Sequence, residues 1–176
     1  WGELYQLRFF PDIEVGVAAW LGPDGYSADF VGGGISIECK TSLRPLHHRI
    51  SHEQRQMADL SHQATYLASL AVVQDPTSGR SVPELVDAII EQLQDAGSFI
   101  KKLLRTGYRP DDIGAIGTPY RALDEPKLFR MADVPSIHGI DSGVSRIKYD
   151  VDLTNSAPVD AESVDELFAK MTKGDV

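Results

Sequence analysis

The chain has 176 residues, 42% hydrophobic and 24% charged, the make-up of one soluble globular domain. No apolar run reaches the roughly 18 residues that a membrane span needs, and no basic stretch followed by an apolar one reads as a secretory signal. A net charge of −9 argues against a strong nonspecific nucleic-acid binder, although phosphate contacts need only local positive charge.

Leu4, Leu7 and Phe10 recur at helical spacing and predict an amphipathic first helix with Glu3 near its start. Val17 to Leu21 reads as a strand ended by the turn cluster Gly22-Pro23-Asp24-Gly25. Tyr26 to Ser42 reads as a hairpin around the triple glycine 32–34, because glycine reaches positive φ without a Cβ clash. Its second strand alternates. Ile35, Ile37 and Cys39 point one way, and Ser36, Glu38 and Lys40 the other. Cys39 is the sole cysteine, so no intramolecular disulfide forms, which fits a reducing cytoplasm. Asp29, Glu38 and Lys40 place two carboxylates and an amine at a sheet edge, a setting for a hard divalent cation and a water. Glu3 is the further candidate that could reach such a cation.

Lys40, Arg44, Arg49 and Arg55 form a basic stretch with His47, His48 and His52, opposed only by Glu53. It reads either as a solvated loop or as a phosphate contact. Those histidines with His62 could also form a transition-metal site, but their spacing is irregular and no cysteine supports it. Glu53 to Leu60 predicts a short helix carrying Gln54 and Gln56. Thr65 to Val73 predicts a buried strand. Ser81 and Glu84 form a capping-box pattern ahead of an apolar stripe from Val82 to Leu93. Phe99 to Leu104 predicts another helix, with Lys101, Lys102 and Arg105 on its polar side. Thr118 to Met131 predicts a hairpin, and Val144 to Leu153 a strand with a register step near Arg146. The tail from Asp160 predicts a helix with Ser163 and Glu166 as its cap.

Asp29, eight residues, then Glu38-Cys39-Lys40 resembles the D…(D/E)xK core of the PD-(D/E)xK nuclease superfamily. The predicted order helix, three strands, helix, strand matches that superfamily's αβββαβ core. The fold class expected is therefore α/β (α+β), a restriction-endonuclease-like core with a mixed central sheet, extended by C-terminal helices and strands. One domain spans 1–176, with its core at about 1–75 and the extension at about 76–176. Gly2-Glu3-Leu4, Trp20, Asp29-Phe30, Ile37 to Thr41, His48 to Ser51 and Gly143 to Leu153 also resemble a bacterial group of PD-(D/E)xK-motif proteins encoded in phage-defence and restriction-like gene clusters.

The resemblance implies Mg²⁺-dependent, or Mn²⁺-dependent, cleavage of a phosphodiester in DNA, in the cytoplasm, as defence against phage. It implies catalytic roles for Asp29, Glu38, Lys40 and Glu3, with Asp29, Glu38 and Glu3 as metal ligands. Arg44, Arg49, Gln54, Arg55 and Gln56 are the candidate substrate contacts, and the glutamine of the site is either Gln54 or Gln56. DNA is the expected partner, with other defence subunits or a second copy also in view and no membrane. The alternative is an inactive nuclease fold that binds DNA or assembles a defence complex.

Overall fold

Gly33 and Gly34 have φ of 54° and 72°, the left-handed pair that a tight two-residue hairpin requires. The computed structural model describes residues 1–60, 64–111 and 113–172. In chain order the helices and strands are α1 (Gly2–Gln6), α2 (Ile13–Ala19), β1 (Phe30–Gly32), β2 (Ile35–Ser42), β3 (His47–Ser51), α3 (His52–Leu60), β4 (Ala64–Gln74), α4 (Val82–Ile90), α5 (Gly97–Arg105), α6 (Ile113–Ile116), β5 (Tyr120–Ala122), β6 (Lys127–Arg130), β7 (Lys148–Asp152) and α7 (Ala161–Met171).

β2 and β4 run parallel at the centre of the main sheet. β1 adds antiparallel to β2, and β5 and β6 add antiparallel to β4. β3 and β7 form a separate antiparallel pair. The architecture is α+β with a mixed sheet, a restriction-endonuclease-like fold.

Alternation on β2 and β4 divides two cores. Ile35, Ile37, Tyr66 and Ala68 face the larger one, with Leu4, Leu85, Phe99 and Phe168 from the helices. Ile37 is fully buried, and such burial stabilises by about 1.5–3 kcal/mol. On the other face Leu67 and Phe129 pack with Ile50 and Val151 of the β3–β7 pair. Glu38 and Lys40 belong to this second face.

Four expectations from the sequence need correction. Val17 to Leu21 is not a strand, because α2 takes Val17 to Ala19. Asp12 caps α2 by accepting the Glu14 N–H at 2.9 Å, and Gly16 admits the Phe10 ring where a Cβ would meet it at 2.9 Å. Only Trp20 keeps a bridge, to Phe30. The third strand of the αβββαβ order is instead β3, outside the main sheet.

β5 and β6 do not form a hairpin with each other. Both pair antiparallel with β4, so they are two pieces of one interrupted strand. The Leu123 N–H still donates to the Ala71 carbonyl at 2.9 Å, and 124–126 bulge outward before pairing resumes at Lys127. The strand expected from Val144 begins only at Lys148, after Arg146 turns left-handed at φ 57°. Finally, α7 starts at Ala161 with Asp160 at its N-cap, ahead of the expected Ser163 cap. The Ser81–Glu84 capping box forms in both directions.

Candidate active site

β1 covers only Ile35 to Ile37 of β2. Beyond that point the β2 edge is open to side chains. Asp29 immediately precedes β1. Its own N–H donates to the Ile37 carbonyl at 3.0 Å, and its Oδ2 accepts the Cys39 N–H at 2.7 Å. A carboxylate thus satisfies an edge donor that a longer strand would otherwise pair.

Glu38 is 6% exposed. Its Oε1 accepts from Lys40 Nζ at 2.6 Å and from Gln54 Nε2 at 2.8 Å. Two-residue spacing on a strand is what puts Glu38 and Lys40 side by side. Gln54 is held by the start of α3. The Ser51 N–H donates to Gln54 Oε1 at 3.2 Å, and the Gln54 N–H donates to Ser51 Oγ at 3.1 Å. That is a capping box of the form S-x-x-Q.

Glu3 arrives from α1, and its Oε2 accepts from Trp20 Nε1 at 2.7 Å. The Leu21 and Gly22 N–H groups both donate to the Asp29 carbonyl, at 2.7 and 3.1 Å. Gly22 therefore lies against the carboxylates. A Cβ there would stand 2.8 Å from Asp29 Oδ1 and 2.9 Å from Glu3 Oε2.

Three carboxylates and one lysine crowd this edge. Burial, then the charges of Glu38 and Glu3, push the Asp29 carboxyl up to about 7, against the opposing pull of the Cys39 N–H and Lys40. Behind Lys40, Ser69 is its register partner on β4. His48 is 5% exposed, with Nε2 2.7 Å from Ser69 Oγ. Burial first, then Lys40 and His47, lower the His48 imidazole to about 4, so it is neutral at pH 7.

The structure thus brings Glu3, Asp29, Glu38, Lys40 and Gln54 to one edge. It does not bring the other candidates there. Arg55 is 8% exposed and donates to the Val134 and Ala132 carbonyls at 3.3 and 2.7 Å, tying down the segment after β6. Gln56 lines a separate cavity of about 340 Å³ with His52 and His138. Arg49 points to solvent and pairs with Asp150 across β3 and β7. Arg44 is exposed in the loop after β2.

The histidines do not converge either. His47 faces Asp152, His48 faces Ser69 and His52 faces the Gln56 cavity, while His62 lies outside the described residues. Sequence reading passed over Gly22, the Cys39 N–H and the Ser69–His48 pair. The S-x-x-Q pattern at Ser51 would have selected Gln54 over Gln56.

A family model described as "Putative PD-(D/E)XK family member, (DUF4420)" matches residues 1–154. The chain belongs to this family. No curated protein and no solved structure matches it. The DUF4420 match spans every residue of the β2 edge, and nucleases of the PD-(D/E)XK superfamily generally use divalent metals.

The donor set fits such an ion in kind. Asp29, Glu38 and Glu3 offer hard oxygen atoms, and their mutual repulsion is what a cation would relieve. Among the described residues, no three His, Cys, Asp or Glu side chains are already gathered into a metal cage.

Proposed function

We propose that this DUF4420 protein is a divalent-metal-dependent nuclease that hydrolyses phosphodiester bonds in DNA. The observation that supports this best is the meeting of Asp29, Glu38, Lys40 and Gln54 on the open edge of β2, with Glu3 reaching the same point from α1. A bound Mg²⁺ or Mn²⁺ supplies Lewis acidity toward a phosphate oxygen and the attacking water.

The side chains divide the remaining work. Asp29 and Glu38 hold the cation, and Glu3 completes its surroundings. Gln54 fixes the Glu38 carboxylate by its bond to Oε1. Lys40 leaves Glu38 to orient the water or to stabilise negative charge that develops on the phosphate. Hydrolysis forms one P–O bond from the water and breaks one to the leaving sugar, which takes up a proton. A role in phage defence, in the cytoplasm, rests on the sequence resemblance alone.

The test is cleavage of supercoiled plasmid, single-stranded DNA and RNA by purified protein, with Mg²⁺ or Mn²⁺ and with chelator. Metal-dependent conversion of plasmid to nicked or linear DNA supports the proposal. DNA binding without cleavage of any substrate points to the inactive DNA-binding fold.

A further inference from the structure

Lys102, expected on the polar side of α5, turns toward α2 instead. Its Nζ donates to the carbonyls of Val17, Ala18 and Trp20 at 2.7, 3.1 and 2.6 Å. An ammonium has three N–H donors, and all three are spent on the end of α2. The last carbonyls of a helix have no partner within it. A left-handed glycine often brings N–H groups back to them, but α2 ends on Trp20, whose backbone is extended at φ −73° and ψ 101°. A cation from another helix takes that place, where the helix dipole also favours positive charge. Two more α5 residues hold the same stretch. The Phe99 and Trp20 ring centroids are 5.9 Å apart, and Arg105 pairs with Asp24. Phe99 neighbours Lys102 on the helix surface, and Lys102 neighbours Arg105, each at i, i+3 spacing.

The stretch so clamped is the wall of the carboxylate cluster. Trp20 Nε1 donates to Glu3 Oε2 at 2.7 Å. The next two N–H groups, of Leu21 and Gly22, donate to the Asp29 carbonyl at 2.7 and 3.1 Å. Gly22 stands against Asp29 Oδ1 and Glu3 Oε2. Glu3 and Asp29 thus both hang on residues 20–22, and those residues hang on α5, which comes after β4 and outside the αβββαβ order. We infer that Lys102 is a positioning residue for the candidate metal site. Through Trp20 it fixes the Glu3 carboxylate, and through Leu21 and Gly22 it fixes Asp29. A helix from beyond the nuclease-like core then sets the geometry of two of its acidic groups. The consequence for metal rests on the nuclease reading, but the hold on Trp20 and Glu3 can be measured without metal or turnover.

Lys102→Met keeps the length of the side chain and removes its donors. Two readouts follow it in the full chain. The first is hydrogen exchange of the Trp20 indole N–H by NMR in chelator. The chain has two tryptophans, so Trp1→Phe assigns the signal. The second is Mn²⁺ affinity by calorimetry. Lys102→Met should speed indole exchange about tenfold or more and weaken Mn²⁺ binding by about tenfold or more, as loss of an outer support of metal ligands does. Lys102→Arg, which can donate to the same carbonyls, should recover part of both. Val86→Ala, a core truncation on α4, should lower stability and move neither readout. Lys102→Gln, which keeps fewer donors, replaces Lys102→Met if that protein does not fold, with the same direction expected. Unchanged indole exchange and Mn²⁺ affinity in a folded Lys102→Met protein would overturn the inference, even with metal-dependent cleavage by the native protein. Equal losses in Val86→Ala would overturn it too, by showing general loosening. Faster indole exchange in Lys102→Met, with no Mn²⁺ binding by the native protein, would keep the hold on Glu3 and reject the metal centre.

Discussion

Asp29 Oδ2 accepts the Cys39 N–H at 2.7 Å on the one stretch of β2 that β1 leaves uncovered. The same bond fixes a carboxylate opposite Glu38 and closes part of an otherwise open sheet edge. Asp29→Ala should therefore do two things. It leaves the Cys39 N–H without its acceptor, costing about 1 kcal/mol in chemical denaturation because relief of the repulsion from Glu38 and Glu3 offsets part of the loss, and it abolishes divalent-cation binding measured by calorimetry. Asp29→Asn keeps an acceptor for Cys39, so it should recover most of the stability and none of the cation binding. Equal loss of both properties in the two variants would contradict this separation.

Gly22 is held close to Asp29 and Glu3, and its φ is not of the left-handed kind. Gly22→Ala thus acts by crowding. Pressing on Asp29 Oδ1 and Glu3 Oε2 should weaken Mn²⁺ binding by about tenfold or more, with a stability cost of about 1–3 kcal/mol. Unchanged Mn²⁺ affinity in a folded Gly22→Ala protein would show that these two oxygens do not serve the ion.

The second core carries the pH prediction. His48 has its imidazole lowered from the ordinary 6.5 to about 4. Between those values the unfolded chain binds the extra proton and the folded chain does not, so the contribution of His48 to stability rises with pH in that window. The contribution is present above pH 6.5 and is lost as pH falls toward 4. Asp29, raised to about 7, contributes with the opposite sign over the same range, so the check is a difference: as pH falls from 6.5 toward 4, the denaturation midpoint of the native protein should fall relative to that of His48→Gln. Parallel curves would remove His48 as the cause.

Arg55 shows where a charge count misleads. From sequence it is one of four basic residues in a row of candidates for phosphate, yet it is buried and bonds two carbonyls. Arg55→Ala should cost on the order of 2–3 kcal/mol and leave the salt slope of DNA binding unchanged. A flattened slope at full stability would restore its phosphate role.

How much of this was legible depended on how local the signal was. The glycine turn, the β2 alternation and the Ser81 box are decided within a few residues, and each formed as its residues dictate. Asp29, Glu38 and Lys40 could be named because strand periodicity places two of them and the motif spacing places the third. Other features depend on distant partners. The two runs around Asp124 to Pro126 look like a hairpin until β4 offers one long edge to both. Val17 to Ala19 is apolar enough for a strand, but the Asp12 cap and the Phe10–Gly16 contact favour helix. The Glu3–Trp20 bond and the His48–Ser69 pair join residues 17 and 21 positions apart, beyond the reach of either periodicity.

Strand register and chemistry can be read from neighbouring substitutions. Ile37→Asp places a charge at a fully buried site and should unfold the protein or destabilise it by several kcal/mol, on the order of 3–5. Lys40→Ala should abolish cleavage and leave Mn²⁺ binding largely intact, because the amine is proposed to act on water or phosphate and not on the metal. A well-folded Ile37→Asp protein would contradict the register that puts Glu38 and Lys40 on the site face.

The central measurement is plasmid cleavage by native protein and by Glu38→Gln, each purified free of contaminating nuclease, in Mg²⁺ and in chelator. Glutamine keeps the size and polarity of Glu38 and removes the charge proposed to hold the cation. Cleavage by the native protein only with metal, and none by a Glu38→Gln protein with an unchanged melting profile, is the result expected. Equal cleavage by the two proteins, or none by the native protein on any nucleic acid, would contradict the assignment of this edge as a nuclease centre.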